Sequence, residues 1–120
     1  MQSLTPCAKS PNCVSSQADP ADPVHWIEPL RFSDSAETAW RRLRDVLGAE
    51  PRTKILTVTD HHLHAEATTR MLRFVDDLEF LLEPEANVIH VRSASRIGYS
   101  DFGTNRRRVE RLRRAFDAAK

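Results

Sequence analysis

Residues 70–108 read RMLRFVDDLEFLLEPEANVIHVRSASRIGYSDFGTNRRR. The stretch holds two strand-like runs around a turn. In the first, Phe74, Leu78, Phe80 and Leu82 fall on one face with Asp76 among them, and Asp77 and Glu79 fall on the other. Glu83–Asn87 carries proline and asparagine and reads as the turn. From Val88 the chain returns, with Ile89, Val91 and Ile97 opposed to His90, Arg92 and Arg96. Ile97–Gly103 is a glycine-containing loop, after which Thr104 or Asn105 can cap a final helix. That helix has its apolar stripe at Val109, Leu112, Ala115, Phe116 and Ala119. Arg106 with Glu110, Glu110 with Arg114 and Arg113 with Asp117 stand one turn apart along it.

Working outward, residues 62–70 alternate as well. His62, His64, Glu66, Thr68 and Arg70 share one face, and Leu63, Ala65, Ala67 and Thr69 the other. Thr53–Asp60 is β-branched and strand-like. Ser33–Leu47 places Ala36, Ala39, Trp40, Leu43, Val46 and Leu47 at helical spacing. Asp34 and Glu37 suggest a capping box there, and Gly48 a stop. His25–Leu30 reads as a short edge strand with Pro29 confined to its end. Residues 1–24 are broken by Pro6, Pro11, Pro20 and Pro23 and read as an extended arm ahead of one domain over 25–120. The expected fold is α+β, in the order β-α-β-β-β-β-α. Its antiparallel sheet of four to five strands buries one face beneath two amphipathic helices.

Composition narrows the function classes. The 120 residues are 40% hydrophobic and 29% charged, with a net charge of +1. This fits a globular chain with no global attraction to nucleic acid. The arginine-rich last helix lacks a recognition motif or stacking aromatics, so nucleic acid is not an expected partner. The longest apolar run is Phe80–Leu82, far short of a span, and no membrane insertion is expected. Nothing near Met1 resembles a signal peptide. The chain as it stands reads as cytoplasmic, or as periplasmic or exported if the native N-terminus was trimmed. Cys7 and Cys13 lie in a Pro/Ser/Asn-rich segment that can bend into a disulfide loop, or they are two free thiols.

The polar sheet face is the candidate site. His64, Glu66, Arg70, Asp77, Glu79, Arg92 and Arg96 should project from one side, and Tyr99 follows in the glycine loop. Sheltered by the arm and loop, Arg92 and Arg96 would offer forks to a carboxylate or phosphate. Left open, the same residues are a solvated face of cross-strand pairs, each worth about 0.2–1 kcal/mol. His61, His62, His64, Glu66, Asp77 and Glu79 carry metal-ligating groups but no strict ligand spacing, so no metal or other cofactor is expected. Cys13 with a histidine and Asp77, or Ser93, Ser95 or Ser100 with His64, would make a nucleophile arrangement, yet no local signature accompanies either. Asp76 faces the core, where a lone carboxylate is costly, and Arg73, Arg106 and Arg108 are its candidate partners. Asp76, Asp101, Asn105 and Arg106 read as structural polar residues.

Five blocks in order carry a resemblance. They are Cys7-x-x-Ser10-Pro11-Asn12-Cys13-Val14-Ser15-Ser16, His25-x-Ile27-x-Pro29-Leu30, His64-Ala65-Glu66, Phe74-Val75-Asp76-Asp77-x-Glu79-Phe80, and the run from Arg92 through Gly98-Tyr99-Ser100-Asp101 to Asn105-Arg106. Together they resemble the DUF1499 family over nearly the whole chain. The resemblance implies no established activity. It implies membrane-attached, exported or plastid settings, and so favours a Cys7–Cys13 disulfide. The reading preferred here is a non-enzymatic module that binds an anionic small molecule or a partner segment through the Arg/acidic face. The alternatives are a metal-dependent or cysteine-based enzyme and an accessory protein of a membrane complex.

Overall fold

A computed structural model describes residues 3–97 and 103–120. The strands are β1 (Cys13–Ser15), β2 (Leu30–Arg31), β3 (Thr53–Val58), β4 (His62–Thr68), β5 (Val75–Glu83) and β6 (Val88–Ser95); the helices are α1 (Ala36–Ala49) and α2 (Thr104–Ala118). The fold is α+β. The sheet runs β1-β6-β5-β4-β3, with β2 also paired to β6, and every strand pair is antiparallel.

Period-two alternation decides which side of the sheet is buried. Leu63, Ala65 and Ala67 on β4, Leu78, Phe80 and Leu82 on β5, and Ile89 and Val91 on β6 form one core with Trp40, Leu43 and Leu47 of α1 and Val109, Leu112 and Phe116 of α2. The register pairs Ala65 with Leu78 and Leu78 with Ser93, so one inward layer crosses three strands. Arg42 is buried against the ring of Phe116, 4.1 Å from its centroid, and ion-pairs with Asp34. The cation thus joins the helices without being left uncompensated.

Several expectations change. The arm contributes a strand: β1 lies against β6, pairing Cys13 with Ala94 and Ser15 with Arg92. Three residues in such a proline-rich setting carry too little periodicity to announce a strand. Within residues 25–30, Trp26 makes an isolated bridge to Ser15 and only Leu30 enters a strand, which runs Leu30–Arg31. Ser35, not Asp34, caps α1, accepting a 3.1 Å hydrogen bond from the Thr38 N–H; Asp34 is engaged by Arg42 instead. Gly48 lies inside the helix, which closes at Glu50 through a 3.2 Å bond to the Leu47 carbonyl. In α2, Gly103 takes the N-cap position at φ 80°, a left-handed conformation that suits glycine. Asn105 lies two residues past this cap and turns into the core. Ile97 and Phe74, expected on the core side, lie beyond the paired strands and are exposed.

Candidate functional site

The outer face of the sheet, opposite the helices, gathers most of the predicted residues. Strand pairing sets Glu66 opposite Asp77, His64 opposite Glu79, and Glu79 opposite Arg92. These side chains are not independent. Asp77 receives Arg96 Nε at Oδ2 and Arg96 Nη2 at Oδ1, both at 2.9 Å, and His64 Nε2 lies 2.9 Å from Oδ1. Arg96 also bonds Glu66, so one guanidinium ties β4, β5 and the end of β6 together. Beside this cluster, Glu79 meets Arg92 Nη1 at 3.4 Å and His62 Nε2 at 3.3 Å. Farther along, His90 bridges Glu83, 2.7 Å from Nε2, and Ser16 Oγ, 3.0 Å from Nδ1.

Electrostatics follow from these bonds. The hydrogen bonds from Arg96 hold the Asp77 carboxyl below the usual carboxylate range, against partial desolvation and with help from His64. The same pairing, first with Asp77 and then with Glu66, makes Arg96 a still weaker acid than a free arginine. The face is partly sheltered: the Arg92 side chain is 15% exposed and Arg96 43%. At one end, Cys13 and Ser15 of β1 share this face with Ala94 and Arg92, and a disulfide joins Cys13 to Cys7. Leu4 is buried, its N–H bonded to Gln17 Oε1 at 2.7 Å.

Arg70 is not part of the cluster. It sits past the end of β4 in an exposed turn and lines a separate cleft with Arg52, Arg107, Arg108 and Arg111. Tyr99 and Asp101 lie outside the described residues. Among the described residues no three His, Cys, Asp or Glu side chains converge as a metal site, and none of their helices is long and apolar enough to cross a membrane.

A second polar cluster lies on the inner side, between β6 and α2. Ser93 Oγ donates to Asn105 Oδ1 at 2.6 Å, and Arg108 Nη1 donates to the same oxygen at 3.0 Å. Asn105 Nδ2 donates to Ser95 Oγ at 3.0 Å and to the Asn12 carbonyl at 3.2 Å. Arg108 Nη2 reaches Asp76 Oδ2 at 2.7 Å. Asp76 thus meets one of the three arginines its position called for. Arg106 goes elsewhere, donating to the carbonyls of Trp26 at 2.9 Å and Val24 at 3.2 Å. Arg113 does the same for Glu28 at 2.7 Å and Pro29 at 2.6 Å, while its Nε bonds Glu110. These contacts replace the expected pairs of Arg106 with Glu110 and of Arg113 with Asp117. Ser93, Ser16 and Arg113 were not singled out as structural residues; the inward parity of Ser93 beside Val91 was the one available signal.

The Cys7–Cys13 disulfide joins Cα atoms 5.7 Å apart, and the chain has no free cysteine. Cys13 in this form has no thiolate to act as a nucleophile. Comparison with curated proteins finds none that match. A family model matches residues 3–116, and the chain therefore belongs to DUF1499, a family of proteins of unknown function.

Proposed function

We propose that the protein is a non-enzymatic binding module whose outer sheet face receives a polar segment of a partner. The observation that carries this reading is the Arg96–Asp77–Glu66 cluster with His64, a set of charged and polar groups held by one another across three strands. Groups fixed before a partner arrives lose little conformational freedom on binding. Each arginine already has a carboxylate partner, which favours a segment bearing both charges over a lone small anion. The rim arginine Arg96 can exchange its bonds at modest cost because water reaches it.

The test is a quantitative pull-down with the wild type, Arg92→Ala/Arg96→Ala and the milder Glu66→Gln as baits. A partner retained by wild type, weakened by Glu66→Gln and lost by the double variant supports the proposal. Recovery of the same proteins by all three baits overturns it. A parallel melting screen with phosphate and small carboxylates covers the anionic-ligand alternative. A shift that vanishes in the double variant would replace the partner segment by a small anion.

A further inference from the structure

The turn between β4 and β5 combines exposed apolar side chains with a cationic cleft. The turn is closed rather than loose: the Thr69 N–H donates to the Phe74 carbonyl at 2.8 Å, and the Phe74 N–H donates to Thr69 Oγ1 at 2.8 Å. Arg73 adopts φ 59°, which helps the chain reverse within so few residues. Closure leaves Met71 89% and Leu72 69% exposed at the tip. Phe74 and Ile97, just beyond the Asp76–Ser95 pair that ends the β5–β6 ladder, are also exposed. Four large apolar side chains at one end of a small protein need an explanation that scattered surface leucines do not.

The adjoining cleft encloses about 300 Å³, and Arg70 and Met71 line it together, so the apolar tip and the basic hollow are continuous. Its other cations are Arg52, Arg107, Arg108 and Arg111, and among the described residues that line it there is no carboxylate. Arg108 and Arg111 are paired with Asp76 and Glu50. Arg52, Arg70 and Arg73 meet no carboxylate among the described residues.

We propose that this tip docks on an anionic lipid surface, with Met71 and Leu72 seated at the headgroup–acyl boundary and Arg52 and Arg70 meeting lipid phosphates. A bilayer interface is the partner that supplies both chemistries at once: apolar depth for thioether and leucine, and anionic phosphate for guanidinium. A soluble phosphate would fill the cleft and leave Met71 and Leu72 in water. Docking of this kind needs no spanning segment, and it uses residues apart from the outer-face cluster.

Flotation with vesicles of phosphatidylcholine plus phosphatidylglycerol, against phosphatidylcholine alone, tests it. The wild type should partition to the anionic vesicles and release as salt is raised. Met71→Asp/Leu72→Asp should weaken partitioning by about tenfold or more. Arg52→Ala/Arg70→Ala should remove most of the salt-sensitive share. All four sites are on the surface, and unchanged melting temperatures would verify that the variants fold. Wild type that stays with neither vesicle, or Met71→Asp/Leu72→Asp partitioning like wild type, overturns the proposal. So does competition by inorganic phosphate that matches the vesicles, which would mark a soluble-anion site. Binding to polyglutamate without partitioning to vesicles would also overturn it, by pointing to an acidic polypeptide.

Discussion

Asp76 Oδ2 and Arg108 Nη2 lie 2.7 Å apart, with side chains 1% and 6% exposed. The contact is a charge pair more than an aligned hydrogen bond, since neither carboxylate oxygen of Asp76 has a hydrogen-bond partner among the described residues. It joins β5 to α2 inside the protein, where each charge depends on the other. Arg108→Ala should therefore destabilise by roughly 3–5 kcal/mol, because it strands a buried carboxylate. Urea unfolding measures this. The double variant Asp76→Ala/Arg108→Ala should lose less than the sum of the two single changes.

Arg96 makes more bonds than Arg108 but stands at the surface. Arg96→Ala should cost far less than Arg108→Ala, because water screens the pair and replaces its hydrogen bonds. The same urea series provides the comparison. A loss as large as that of Arg108→Ala would mean that the outer face is shielded far more than its exposure indicates.

His25 Nδ1 lies 2.7 Å from Asp22 Oδ2, and His25 Nε2 lies 2.9 Å from the Ser10 carbonyl. Its hydrogen bonds, first to Asp22 and then to Ser10, raise its pKa above the ordinary value of 6.5. The bond to His25 lowers the Asp22 pKa below 3.8. A raised histidine adds stability that is complete below about pH 6.5 and lost as pH rises through its folded value. A lowered aspartate adds stability that is present above about pH 3.8 and lost as acid protonates it. The wild type should thus exceed His25→Gln most between these limits, and its advantage should shrink as pH rises above them. Melting temperatures across pH test this; an advantage that grows with rising pH would contradict the assignment.

Cys7 and Cys13 are six positions apart, a short loop. Closing a loop of this size restricts the unfolded chain by about 2 kcal/mol. Cys7→Ser, or reduction of the wild type, should lower stability by about that amount and increase hydrogen exchange at Leu4, whose N–H is otherwise held by Gln17. Denaturation with and without reductant, followed by exchange mass spectrometry, checks both.

Gly48 lies in the last turn of α1, and a Cβ built there meets nothing within 4 Å. Alanine should fit without strain and stabilise by about 0.5–1 kcal/mol through a less disordered unfolded chain and better helix propensity. A fall in melting temperature for Gly48→Ala would show that the glycine serves a purpose beyond the helix.

Much of the architecture was legible in the residues. Alternation in His62–Thr68 and Val75–Glu83, broken at Leu81, determined which side chains face the helices, because a strand repeats every two residues and one face must be dry. The same parity identified Asp76 as a buried acid in need of an arginine. Helical spacing likewise marked Trp40, Leu43 and Leu47, and Val109, Leu112 and Phe116, as stripes. Local pattern carries these features because each depends on neighbours in sequence. Tertiary structure alone decided that Cys13–Ser15 joins β6, that Arg108 rather than Arg73 or Arg106 reaches Asp76, and that Arg106 and Arg113 secure backbone carbonyls of residues 24–29. It also drew Arg96 to Asp77 and Glu66 while leaving Arg70 at a separate cleft, though alternation had grouped them. Such pairings span tens of residues, and which long side chain meets which partner is settled only when strands and helices are set at their final distances.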